Sequence, residues 1–225
     1  MERKNLLKRR VLRDDVAEYL MQAILAGSLN PGDKIVESKL ARELSISQGA
    51  VREAIRDLIA QGVLETEPYK GTRIRTLSRA QLDDYYDVRT EIESIAVRWS
   101  IVKHQSRYLD LAHLKSCVDN MAICVQNNDT TNMRKHDMAF HQAIVLAAHS
   151  ESLAKAWNSL GNYYWSYIAV HYDHAASLLP AQVEKHRTMY EAIAAADISA
   201  YAQCVRGHYF DADTLFPTEG EGSAP

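Results

Sequence analysis

Apolar residues recur every four positions from Asp14 to Ala26, with Val16, Leu20 and Ile24 in one stripe. That spacing predicts an amphipathic helix, and Asp14 and Asp15 suit its start. Gly27 ends the pattern, and Asn30–Asp33 reads as a turn. Leu40 and Leu44 mark a short helix opened by Glu37 and Ser38. After a break at residues 45–47, a third helix is expected from Gln48 to Gln61, with Val51, Ile55, Leu58 and Ile59 on one face and Gly62 as its stop. Residues 63–67 and 72–76 alternate in polarity around Pro68–Gly71, as the two strands of a hairpin do. Residues 77–80 read as a linker. Beyond them the periodicity turns helical throughout, with helices expected near 79–104, 107–128, 130–149, 151–176, 180–196 and 198–215. The last nine residues, 217–225, are polar and Gly/Pro-containing and are expected to be disordered.

The expected fold is therefore mainly α: a winged helix-turn-helix over residues 1–76, a linker at 77–80, and an all-helical bundle over 81–216. Charge sharpens this division. The chain of 225 residues has a net charge of −3, which argues weakly against a polyanionic partner. Residues 1–80, however, hold 15 Lys+Arg and 11 Asp+Glu, and residues 81–225 hold 11 and 18. A basic front and an acidic back fit an N-terminal module that meets nucleic acid. The first ten residues carry charges and no apolar core, unlike a secretory signal. No apolar run approaches the ~18 residues of a membrane span. Three cysteines form no CxxC motif and read as reduced thiols, so a cytoplasmic protein is expected.

Candidate chemistry in the front module lies on the third helix. Gln48, Arg52 and Arg56 are four apart and form one row opposite the apolar face. Arginine fits guanine edges and phosphates, and glutamine can pair with adenine. Ser47 stands at the helix start, where a hydroxyl and backbone N–H groups can hold a phosphate. Lys70 and Gly71 would form the tip of a wing. Charged rows are common on solvated helices, so spacing alone leaves a plain solvated face equally open.

The residues themselves carry a resemblance. Pro31 to Ser47, then Val51-Arg-Glu-Ala-Ile-Arg-Asp-Leu58 and Gln61-Gly-Val-Leu64, resemble the DNA-binding domain of the GntR family of bacterial transcription regulators. The resemblance implies contacts to double-stranded operator DNA from Ser38, Ser47, Gln48, Gly49, Arg52, Lys70 and Gly71. Gln48 stands where the family commonly has an arginine that reads guanine, which bears on operator preference.

In the back module, Met133, Phe140, Ile144 and Ala148 mark an inward stripe that also holds Asp137 and His141. His186 lies on a stripe with Val183, Tyr190 and Ile193. His208 lies on one with Tyr201, Cys204 and Leu215. A buried carboxylate needs a partner. One Asp and three His around a divalent ion would satisfy one another, with Zn²⁺ first and Ni²⁺, Mn²⁺ or Fe²⁺ as alternatives. Spacing alone leaves hydrogen-bonded core histidines open as well. His104, His113 and His136 read as surface positions and His149 as a helix-end cation, with His171 and His174 as secondary ligand candidates. Arg89 falls among Leu82, Tyr85, Ile92, Ala96 and Trp99 on the first bundle stripe. It reads either as half of an internal salt bridge to Glu93 or as a clamp on a carboxylate.

Asp137-Met-Ala-Phe-His141, the segment Val183–Ile193 and Cys204-Val-Arg-Gly-His208 resemble the FCD domain, the all-helical effector domain of the FadR subfamily of GntR regulators. The resemblance implies a metal at Asp137, His141, His186 and His208, a small carboxylate effector gripped by Arg89, and a homodimer. Aromatic residues at 163–167 suggest an effector larger or more apolar than lactate or citrate. The expected function is a metal- and effector-dependent regulator, a repressor released by its ligand. A metalloenzyme is the rival reading, but no general acid or base is matched beside the four ligands, so no enzyme is expected. A second domain that only dimerises is the other rival.

Overall fold

The computed structural model describes residues 2–25, 28–76, 78–160 and 175–208. The chain divides into two compact units, Met1–Thr76 and Leu77–Pro225.

In the first unit, α1 (Glu2–Leu25), α2 (Glu37–Glu43) and α3 (Gln48–Ala60) accompany a three-stranded antiparallel sheet. α1 starts twelve residues before the expected start at Asp14, because residues 2–13 hold helix-favouring Glu, Arg, Lys and Leu and no breaker. Val16, Leu20 and Ile24 of α1 are buried, as are Val51, Ile55 and Leu58 of α3, and the two helices pack together. The strands β1 (Lys34–Ile35), β2 (Leu64–Glu67) and β3 (Gly71–Ile74) lie in the order β1-β3-β2. β2 and β3 form the expected hairpin, with Leu64 opposite Ile74. β1 was not expected, since two residues are too few to show an alternation. It pairs Lys34 with Arg73 and so ties the turn after α1 to the wing. Gly71 turns the hairpin at φ 87°, a conformation that costs glycine nothing.

The second unit is helical among the described residues. It comprises α4 (Arg79–Arg98), a π-helical turn (Trp99–Lys103), α5 (Leu111–Gln126), α6 (Thr130–Ala147), α7 (Glu151–Ser159), α8 (Ala175–Ala194) and α9 (Ile198–Arg206). Side-chain caps fix the starts: Ser78 with Gln81 makes a capping box on α4, and Asp110, Asp129, Ser150 and Asp197 cap α5, α6, α7 and α9. Arg79 and Ala80, expected in the linker, therefore form the first turn of α4. The expected break at Pro180 is absent. Pro180 sits in the second turn of α8, where its missing N–H forfeits one backbone bond close to the helix start. The last helix is shorter than expected and stops at the C-cap Gly207. Met121, Phe140, Ile144, Met189 and Tyr201 are fully buried and bring α5, α6, α8 and α9 into one core. Cys117, Cys124 and Cys204 are free. Among the described residues no helix is long and apolar enough to cross a membrane. The aromatic residues at 163–167, His171, His174, Leu215 and the tail 217–225 lie outside the described residues.

Candidate functional site

The first unit presents the expected nucleic-acid face to solvent. Ser38, Ser47, Gln48, Gly49, Arg52, Arg56, Lys70 and Gly71 are all exposed. The apolar face of α3 docks on α1 and α2, so the row Gln48, Arg52, Arg56 is left outward. Ser47 caps α3, its Oγ accepting from Ala50 N at 3.2 Å, which leaves its hydroxyl proton for a phosphate. The basic groups are held by neighbouring acids. Arg52 bonds Glu37, Arg56 meets Glu53 at 2.9 Å, and Lys70 meets Glu67 at 2.8 Å. Arg73 bridges Glu65 and Glu67 on the hairpin. Exposed pairs of this kind are worth about 0–1 kcal/mol. They orient the cations without competing seriously against a phosphate.

In the second unit, Asp137, His141, His186 and His208 each turn one ligand atom to a common point, all within 4.8 Å of one another. α6 supplies Asp137 and His141 one turn apart, and α8 supplies His186. His208 comes from just past Gly207 rather than from the helix stripe. The three imidazoles are buried and Asp137 is half-buried.

Hydrogen bonds settle which nitrogens face the centre. His186 Nδ1 lies 2.8 Å from the Gln182 carbonyl, which can only accept, so Nδ1 carries the proton and Nε2 a lone pair. His141 Nδ1 lies 2.7 Å from a Glu93 carboxylate oxygen, with the same consequence. Those lone pairs face the other two members of the cluster. His186 Nε2 stands 2.9 Å from Asp137 Oδ1, and His141 Nε2 stands 3.1 Å from His208 Nε2 and 3.9 Å from Asp137 Oδ1. A tetrahedral ion with donors about 2.0–2.1 Å away spaces them by about 3.3 Å, within this range. The donor set fits a divalent cation, and the carbonyl and carboxylate behind the rings are the outer partners that metal-ligating histidines use.

Ionisation favours the same arrangement. Burial drives the His141 and His208 imidazoles below their ordinary pKa, so both are neutral near pH 7. The Asp137 carboxyl lies below its ordinary pKa although burial acts to raise it, and the Arg89 guanidinium is among the charges that lower it. The carboxylate stays ionised.

Arg89 is 2% exposed and forms the salt bridge to Glu93, Nε to Oε1 at 2.9 Å. Its Nη1 reaches Tyr85 Oη at 3.4 Å, and its guanidinium lies 5.4 Å from the Trp157 ring centre.

Two family models divide the chain. Residues 12–74 match the bacterial regulatory proteins of the gntR family, and residues 84–211 match the FCD domain. The chain is a GntR-family transcription regulator. It is 30% identical over 193 residues to a Paenarthrobacter nicotinovorans protein named "Probable D-xylose utilization operon transcriptional repressor", covering 85% of this chain and 82% of that one. It is 25% identical over 201 residues to the HTH-type transcriptional repressor GlaR of Escherichia coli K12, covering 86% and 90%. E. coli McbR/YncC shares the fold, with a TM-score of 0.72 at 22% identity over 88% of this chain and 92% of that one. These relatives are transcription regulators, so this GntR-family chain is a DNA-binding regulator and not an enzyme.

Some histidines depart from expectation. His113 is exposed, but His104 and His136 are half-buried. His104 packs its ring against Tyr108 and His149, and Tyr108 and His149 stack at 4.3 Å. The residue least visible in the sequence is Glu93. It is fully buried, and besides Arg89 and His141 it accepts from Trp157 Nε1 at 3.1 Å. Tyr201 Oη stands 3.5 Å from its Oε2. The available signal was its place four residues after Arg89 on one helix face.

Proposed function

We propose that this regulator is a metal-dependent repressor of the FadR subfamily, cytoplasmic and homodimeric, whose operator binding is released by a small organic acid. The observation that carries the reading is the convergence of one ligand atom each from Asp137, His141, His186 and His208 within 4.8 Å of one another, with Arg89 one side chain away across Glu93. A divalent ion there, Zn²⁺ first and Ni²⁺, Mn²⁺ or Fe²⁺ in its place, supplies a Lewis-acidic position for an oxygen of the effector. Arg89 holds the effector carboxylate. The front unit, residues 1–76, binds the operator through Ser38, Ser47, Gln48, Gly49, Arg52, Arg56, Lys70 and Gly71, one α3 helix per half-site. Residues 81–216 bind metal and effector and make the dimer, with 77–80 joining the two. Repression follows the relatives named as repressors.

Metal content of the purified protein, and a thermal-shift screen of organic acids with and without chelator, test the reading together. One ion per chain and a chelator-sensitive shift with a carboxylic acid are expected. Unchanged metal content in both Asp137→Ala and His208→Ala would overturn the metal centre. Metal binding with no acid that alters operator affinity would leave a domain that only dimerises.

A further inference from the structure

Four donors from four different helices converge on one carboxylate. Glu93 sits on α4 with none of its side chain exposed. Its Oε1 takes Arg89 Nε at 2.9 Å and the Trp157 indole N–H at 3.1 Å. Its Oε2 takes His141 Nδ1 at 2.7 Å, with Tyr201 Oη at 3.5 Å. The two oxygens thus divide between two tasks. One holds the cation expected to grip the effector, and the other holds the back of an expected metal ligand. A simple counter-ion for Arg89 would not need the second oxygen, and the shortest of the four contacts is the one to His141.

We propose that Glu93 is a positioning residue that couples the metal ligand His141 to Arg89, so that filling either site is felt at the other. This rests on the metal reading above. The physical route is short. A metal ion on Nε2 withdraws electron density from the His141 ring and makes its Nδ1–H a stronger donor. Oε2 then carries more of the Glu93 charge, and Oε1 holds Arg89 and Trp157 less tightly. In the reverse direction, an anion that draws the guanidinium away leaves the carboxylate freer to polarise His141, and the metal is bound more tightly. The coupling is reciprocal by linkage. Trp157 reports on it because its indole shares Oε1 with Arg89.

The test uses the full chain and Zn²⁺ alone. Zn²⁺ affinity is measured by competition with a chromophoric chelator in the wild type and in Glu93→Gln. NMR follows the Arg89 Nε–H and Trp157 indole resonances, the latter assigned with Trp157→Phe. The expected result is a loss of about 10–100-fold in Zn²⁺ affinity in Glu93→Gln. In the wild type both resonances shift on Zn²⁺ addition, and in Glu93→Gln that response is lost. Stoichiometric Zn²⁺ binding by the wild type, with both resonances unmoved, overturns the coupling and leaves the metal centre standing. So does an unchanged affinity in a folded Glu93→Gln. If Glu93→Gln does not fold, the wild-type resonances decide alone. A wild type that takes no Zn²⁺ overturns the metal centre, and the coupling falls with it.

Discussion

Arg52 brings both Nε and Nη2 to a single oxygen of Glu37, at 3.1 and 3.0 Å. The pair joins the start of α2 to the exposed face of α3 and leaves the guanidinium aimed along that face. Two different outcomes are expected from the two charges. Arg52→Ala removes the group proposed to read a base edge and is expected to cost about 1–3 kcal/mol in operator affinity, with relaxed preference at one position. Glu37→Gln breaks only an exposed ion pair and changes operator affinity by about 1 kcal/mol or less. Fluorescence anisotropy with operator and scrambled duplexes measures both.

Lys70 belongs to a separate class. It is exposed at the hairpin tip, next to Gly71, and is proposed to meet phosphate rather than base. Lys70→Ala is expected to weaken operator and scrambled DNA alike and to lower the slope of log affinity against log salt by about 1. An effect confined to the operator would place Lys70 at a base instead.

Gln48 opens α3 and is exposed one residue after the cap Ser47. A glutamine there favours adenine and an arginine favours guanine. Selection of binding sites with wild type and Gln48→Arg is expected to change the preferred base at one position in each half-site. Identical selected sites would show that Gln48 does not set the preference.

The extent to which these sites were legible in the sequence follows from where each side chain stands. The DNA face was legible because α3 is a regular helix, and a period of four puts Gln48, Arg52 and Arg56 in one exposed row beside the buried stripe of Val51 and Ile55. Asp137, His141 and His186 were legible for the same reason. His208 was assigned to a helical stripe, but the helix ends at Arg206 and a turn delivers it. The motif located this residue, and the periodicity did not. The π-helical turn at Trp99–Lys103 and the two-residue β1 leave no periodic mark at all. Glu93 was visible only as a partner for Arg89. Its bonds to His141 and Trp157 span 48 and 64 residues and depend on how α4, α6 and α7 pack. Local spacing cannot encode such contacts.

Metal removal gives a direct stability measurement. An ion that binds only the folded bundle stabilises it by about 2.7 kcal/mol at a free concentration one hundred times its Kd. Chelator is therefore expected to lower the melting temperature of the wild type. In His208→Ala the same treatment should have little further effect, because a donor is already missing. An equal chelator-induced drop in both proteins would mean that the ion binds elsewhere.

The arrival of His208 at the centre depends on a helix of nine residues, and that helix depends on its cap. Asp197 Oδ1 accepts from Ala200 N at 2.8 Å and opens α9. Tyr201 and Val205 then bury its inner face, and Gly207 closes it one residue before the imidazole. A helix this short has little propensity of its own and is held by its ends and its packing. Asp197→Ala is expected to cost about 1 kcal/mol, a drop of a few degrees in melting temperature. Asp197 is bonded to none of the four proposed ligands, yet fraying of α9 is expected to loosen the one proposed ligand that lies beyond it. Zn²⁺ affinity should therefore fall in Asp197→Ala, while an equally exposed cap on another helix, Asp110→Ala on α5, should lower stability by a similar amount and leave Zn²⁺ affinity unchanged. Equal Zn²⁺ affinities in the two variants would show that His208 is held by its burial in the core and not by the helix that precedes it.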